Sequence, residues 1–188
     1  MKYHKLTAGE TTGRYVIESP VTEADILQMA QQLAMSRLSK GRALTESKQV
    51  SSLLQTLLQY HDYDVFALLL LDSKHRVTSF QELFRSTMGG ASLYPREVVK
   101  IALEHNAAAV ILVHNRPSGD TEPSQADRSL TCTLREALNL IGVRTLDHII
   151  IGSDGCASLA EQGDLSGSKY EAAATNLCCR VRLPWHPC

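Results

Sequence analysis

Polar and apolar positions divide this chain into stretches of different texture. Thr22, followed by Glu23 and Asp25, predicts a helix start in "TEADILQMAQQLAMSRLSKG", with Gly41 as its stop. In "ESKQVSSLLQTLLQYH" the residues Val50, Leu53, Leu54, Leu57 and Leu58 recur at helical spacing and share one face. Then the period changes. "DVFALLLLDSKHRVTSFQELF" reads as two strands joined by a turn near Ser73 and Lys74. The first strand is an unbroken apolar run, which suits a strand covered on both faces.

Beyond it, "YPREVVKIALEHN" predicts a helix with Pro95 in its first turn. "AAAVILVH" predicts a buried strand ending at His114. "SQADRSLTCTLREALNLIG" predicts a helix ended by Gly142, "TLDHIIIGS" a further strand, and "CASLAEQG" a short last one. Strands alternating with helices argue for a layered α/β domain. The expected organisation is a helical N-terminal extension over 1–58, the α/β domain over 59–165 and an irregular tail over 166–188. Within the first twenty residues only "RYVIES" is strand-like.

Composition narrows the function classes. The chain has 188 residues, 44% of them hydrophobic, enough for one domain with a real core. A net charge of −1 gives no global field for nucleic acid. The longest apolar run, "AAAVILV", is far too short to span a bilayer, so no membrane role is expected. The opening residues show no secretory apolar region, and the five cysteines are an odd number without paired metal spacing. Free thiols and a cytoplasmic location follow as expectations.

The chemistry gathers in "VHNRPSGDTEPSQAD", residues 113–127. His114 ends a predicted buried strand, the edge at which ligands collect in open α/β sheets. On its own it reads first as an edge histidine satisfied by a backbone carbonyl. Ser124 and Asp127 form S-x-x-D at a helix start, a capping box. Yet Asp127 shares its helix face with Leu130, Leu134, Ala137, Leu138 and Ile141, the inward stripe. A carboxylate there needs a cation, a metal or several hydrogen bonds, so Asp127 reads as more than a cap. Pro117, Ser118 and Gly119 make a turn. His148, inside "LDHIII", reads as structural.

"HNRPSGDTEPSQAD" resembles the JAMM metallopeptidase signature in its variant H-N-H-P-S-G-x-x-x-P-S-x-x-D, which belongs to RadC-like proteins carrying an MPN (JAB) domain. The resemblance runs from about Asp62 to Gly163. It is loose before about Thr45 and absent from the tail. It implies a three-layer α-β-α sandwich with a mixed central sheet, similar to cytidine deaminases. It also implies a zinc ion held by two histidines, an aspartate and a water, with a glutamate as general base and a serine assisting the oxyanion. Three protein ligands with one open position suit catalytic zinc.

By that resemblance His114 and Asp127 fall on metal-ligand positions, Ser124 on the assisting serine and Asp64 on the general base, with Glu82 of "FQELF" as a less favoured rival. Arg116 falls on the second ligand histidine. Arginine keeps its proton, so Arg116 cannot bind zinc. Asp64 is one methylene shorter than the family's glutamate, and a base misplaced by about 1 Å costs on the order of 10²-fold in rate. Three readings follow. The chain is a zinc-dependent peptide or isopeptide hydrolase, weak or inactive because Arg116 impairs its metal site. Or it is an MPN-fold interaction module without zinc, in which Arg116 pairs with Asp127 in fork geometry. Or it is a DNA-repair factor with weak DNA association, as the family label suggests. The second is favoured over the first, and the charge balance counts against the third. A peptide or protein is the expected substrate or partner.

Overall fold

The computed structural model describes residues 2–11, 13–17, 19–38, 41, 47–86 and 93–165. The tail expected over 166–188 lies outside them. The chain begins with a small antiparallel sheet of β1 (Lys2–Tyr3), β2 (Leu6–Ala8) and β3 (Tyr15–Ile17). Only the last coincides with "RYVIES". Strands of two or three residues carry no readable period, which is why the other two were not expected.

Helices α1 (Glu23–Arg37) and α2 (Ser47–Leu58) follow. Thr22 starts α1 as expected and closes a capping box with Asp25, and His4 and Lys5 both reach the Asp25 carboxylate, at 2.6 and 2.8 Å, tying the small sheet to α1. The helix ends at Leu38, before Gly41. Gly41 instead takes φ +89° and donates its N–H to the Val77 carbonyl.

The central sheet holds β4 (Asp64–Leu71), β5 (Val77–Ser86), β6 (Ala109–Asn115), β7 (Arg144–Ile151) and β8 (Cys156–Ser158), in the order β5-β4-β6-β7-β8. It is mixed: β4 runs antiparallel to β5 and β6, β6 parallel to β7, and β8 antiparallel to β7. The apolar run of β4 serves two cores by alternation. Val65, Ala67, Leu69 and Leu71 pack with Leu54, Leu57 and Leu58 of α2 and with Ala34 and Leu38 around the end of α1. Phe66, Leu68 and Leu70 pack with α3 (Pro95–Glu104) and α4 (Gln125–Leu140) through Val98, Ala102, Leu134 and Leu138. The result is the α-β-α sandwich. Helix α2, placed by the sequence reading in the N-terminal extension, forms part of one outer layer.

Two buried polar residues fix the ends of the sheet. Asn115, at the end of β6, accepts from the Val65 N–H at 2.6 Å and donates to the carbonyls of Leu58 and Tyr63 at 3.2 and 3.3 Å. It staples the end of α2 and the following loop to the sheet. Asp147 of β7 accepts from the N–H groups of His148 (2.7 Å) and Ala160 (3.0 Å) and from the Ser158 hydroxyl (2.7 Å). That capture turns the chain after Ser158, so the last strand stops there and "LAEQG" does not extend it. Among the described residues no helix is long and apolar enough to cross a membrane. Cys132 and Cys156 are exposed free thiols. The other three cysteines lie outside the described residues.

Candidate functional site

Strand β6 delivers His114 and Arg116 to the open end of the sheet, and α4 returns beside them with Ser124 and Asp127 in its first turn. The connection is pinned. Arg116 donates its N–H to the Ile151 carbonyl at 2.7 Å, and Gly119 closes the turn onto the Arg116 carbonyl at 3.0 Å. Gly119 has φ +87°, a left-handed conformation that favours glycine. Beneath it, a Cβ on Gly152 would stand 2.3 Å from the Gly119 carbonyl oxygen, so the loop rests directly on the end of β7.

Ser124 caps α4. Its hydroxyl accepts from the Asp127 N–H at 3.2 Å, and the Asp127 carboxylate accepts from the Ser124 N–H at 2.7 Å. Asp127 is nonetheless buried, only 5% exposed, because its helix face turns toward the sheet. Its oxygens are shared out. Oδ2 takes the Ser124 amide, the Ser124 hydroxyl and Nη2 of Arg116. Oδ1 lies 3.3 Å from Nδ1 of His114, a close contact that does not meet hydrogen-bond geometry.

The guanidinium also reaches the Ser124 hydroxyl through Nη2 (3.2 Å) and the Glu122 carbonyl through Nη1 (2.9 Å). The ion pair with Asp127 is therefore present but is not a fork. Glu122 draws one nitrogen away, and His114 faces the second carboxylate oxygen. Burial alone would raise the Asp127 carboxyl. The contacts with His114 and Ser124 and the charge of Arg116 outweigh it and hold the group well below the usual carboxylate range.

A second layer lies under this cluster. Thr131 donates its hydroxyl to the Asp127 carbonyl at 2.6 Å and stands 2.6 Å from Nδ1 of His148. One hydroxyl proton cannot serve both, so His148 donates from Nδ1 and its buried Nε2 is an acceptor without a partner among the described residues. His148 is fully buried beside Phe66, with ring centroids 5.7 Å apart. Burial, reinforced by the nearby His114, pushes its pKa down to about 3, so it is neutral at physiological pH. Phe66 also flanks His114, with centroids 6.1 Å apart.

Strand register separates the two candidate bases. Asp64 lies two residues before Phe66, the partner of His114, and so shares the face of the sheet that carries the cluster. Glu82 is paired with Ala67, whose side chain belongs to the opposite core, and so faces away from the cluster. Sequence reasoning did not single out Asn115 or Thr131. An asparagine closing an apolar strand was the available signal, since a buried amide requires partners.

The donor set does not fit a three-ligand zinc. His114 and Asp127 are the two side chains able to bind metal, and the guanidinium of Arg116 engages the carboxylate that would have to turn to the ion. Among the described residues no group of three His, Cys, Asp or Glu side chains stands where it could hold a metal ion.

Comparison with known proteins places these observations. A family model described as RadC-like JAB domain matches residues 44–164. The chain is similar to a UPF0758 protein of Halorhodospira halophila, 52% identical over 139 residues, covering 74% of this chain and 62% of that protein. It is similar to another from Azotobacter vinelandii, 51% identical over 138 residues, at 73% and 62% coverage. A UPF0758 protein of Vibrio cholerae is 47% identical over 152 residues, at 81% and 96% coverage. The chain thus spans about three fifths of the first two relatives and nearly all of the third.

Proposed function

Since this chain belongs to the RadC-like JAB-domain family, we propose that it is a JAB-fold binding module that engages a peptide or protein partner without zinc-dependent hydrolysis. The observation that carries this reading is the ion pair of Arg116 with Asp127. A hydrolytic site of this class needs an open cation position between its ligands. Here a fixed organic cation satisfies the acidic ligand, and the capping box and Glu122 hold the guanidinium in place. A charge that cannot leave repels an incoming divalent ion and fills the role the ion would have had toward Asp127.

The loop is pinned by the Arg116 N–H on the Ile151 carbonyl and by Gly119 on the Arg116 carbonyl, which supports recognition as the role of this edge. The test is incubation of the protein with a peptide library and added zinc, followed by mass spectrometry. No cleavage is expected above that seen with the chelated control. Cleavage that a chelator abolishes and zinc restores would overturn the proposal.

A further inference from the structure

We infer that the outer face formed by α3 and α4 is an isologous interface through which two copies of this chain associate. Two large apolar side chains stand out to solvent on it, Leu140 at 88% exposure and Leu103 at 58%. Between the helices runs a groove of about 600 Å³, walled by Val99 and Leu103 of α3 and by Ala137, Leu140 and Ile141 around the end of α4. Soluble chains scatter single apolar residues freely, but a protruding leucine beside an apolar groove is a contiguous patch of the kind that marks an interaction site.

The occupant follows from the shape and charge of the face. A twofold interface must be complementary to itself, so it needs a projection and a recess on one surface. Leu140 is the projection and the groove next to it the recess. Along the rim, Arg96, Lys100 and Glu104 follow at helical spacing, with Lys100 bound to Glu104 at 3.9 Å. Two α3 helices laid antiparallel across the axis bring Arg96 of each copy opposite Glu104 of the other. Lys100, nearest the axis, lies beside Glu104 of its own helix, which then stands between its own lysine and the arginine of the other copy.

Arg96 is well exposed, is bound to Glu97 of its own helix at 3.1 Å and lies over the Tyr94 ring, 5.2 Å from its centroid; an exposed pair of this kind is weak enough to exchange for Glu104 of the other copy. Tyr94 is itself 56% exposed and can extend the apolar contact. Leu140 is at the far end of α4 from Ser124, roughly 20 Å away along the helix axis. Association here therefore leaves both His114–Asp127 crevices open.

The experiment is sedimentation equilibrium on the full chain, with circular dichroism and melting temperature to show that each variant is folded. The wild type is expected to be a dimer. Leu140→Glu, at a fully solvated position, is expected to weaken dimerisation at least about tenfold, or by roughly 1.4 kcal/mol, with its fold unchanged. Arg96→Glu and Glu104→Arg each weaken it, and the two together restore it. A wild type that stays monomeric at about 100 μM overturns the proposal and gives the face to another occupant. So does a dimer indifferent to Leu140→Glu, or a double charge variant no tighter than the single ones.

Discussion

Two buried aspartates face opposite sides of the same sheet and meet the same difficulty in different ways. Asp147 faces the α2 side and is surrounded by neutral donors alone, two backbone N–H groups and a serine hydroxyl. Its charge is absorbed by the backbone that it shapes. Asp127 faces the α4 side and has similar neutral help from Ser124, but it also holds a cation, Arg116, and keeps a second oxygen turned to His114. The first carboxylate is part of the architecture. The second is a site in which a fixed cation, a helix cap and a histidine meet on one carboxylate.

Removing the cation should show the difference most strongly. Arg116→Ala leaves a buried carboxylate without its counter-charge and is expected to cost roughly 3 kcal/mol or more in urea denaturation at neutral pH. Asp147→Asn keeps one acceptor oxygen for three donors and should cost less, roughly 2 kcal/mol. If Asp147→Asn proved the more damaging, the contrast between an architectural carboxylate and a charge-balanced one would fail.

Acid separates the two regions further. His148 lies beneath Asp127 and is held neutral, with its folded pKa at about 3 against an unfolded value near 6.5. Between those values the unfolded chain binds a proton that the folded chain does not, so stability falls as pH falls, by up to about 1.4 kcal/mol per unit. Asp127, with its folded pKa depressed, adds stability that is present above about 4 and lost below it. His148 therefore contributes to the slope from about pH 6.5 to 4, and chemical denaturation of His148→Gln across that range should show it flattened. An unchanged slope would remove His148 from the account.

The smallest effect is expected when charge and counter-charge go together. Arg116→Met combined with Asp127→Leu removes both ions at similar volume. It should cost only about 1 kcal/mol, mostly the lost capping contact with Ser124. A penalty as large as that of Arg116→Ala would mean that the pair holds the loop by something other than charge balance.

The layered fold was legible because its signals are long. The apolar run of β4, the stripe on α2 and the S-x-x-D start of α4 each repeat a period over several residues. The inward position of Asp127 was legible for the same reason, since the apolar stripe from Leu130 to Ile141 fixes its helix face. Smaller features were not. The two short N-terminal strands have no period, and the early stop of β8 depends on an aspartate eleven residues before Ser158. The pairing of Arg116 with Asp127 followed from the need to satisfy a buried acid. Its asymmetric form did not, because the Glu122 carbonyl and the His114 ring come from backbone paths that no spacing rule encodes. Nor could a one-dimensional reading choose between Asp64 and Glu82 on geometry. Only the register of β4 against β5 and β6 puts them on opposite faces.

The most direct test of the proposed zinc-free site is zinc titration of the purified wild type and of Arg116→His, followed by calorimetry and by metal analysis after dialysis. The wild type is expected to retain no stoichiometric zinc and to show no rise in melting temperature with the ion. Arg116→His should hold one zinc per chain and melt higher when zinc is added. A wild type that retains one zinc per chain as tightly as Arg116→His would contradict the account and require a ligand other than those at His114 and Asp127.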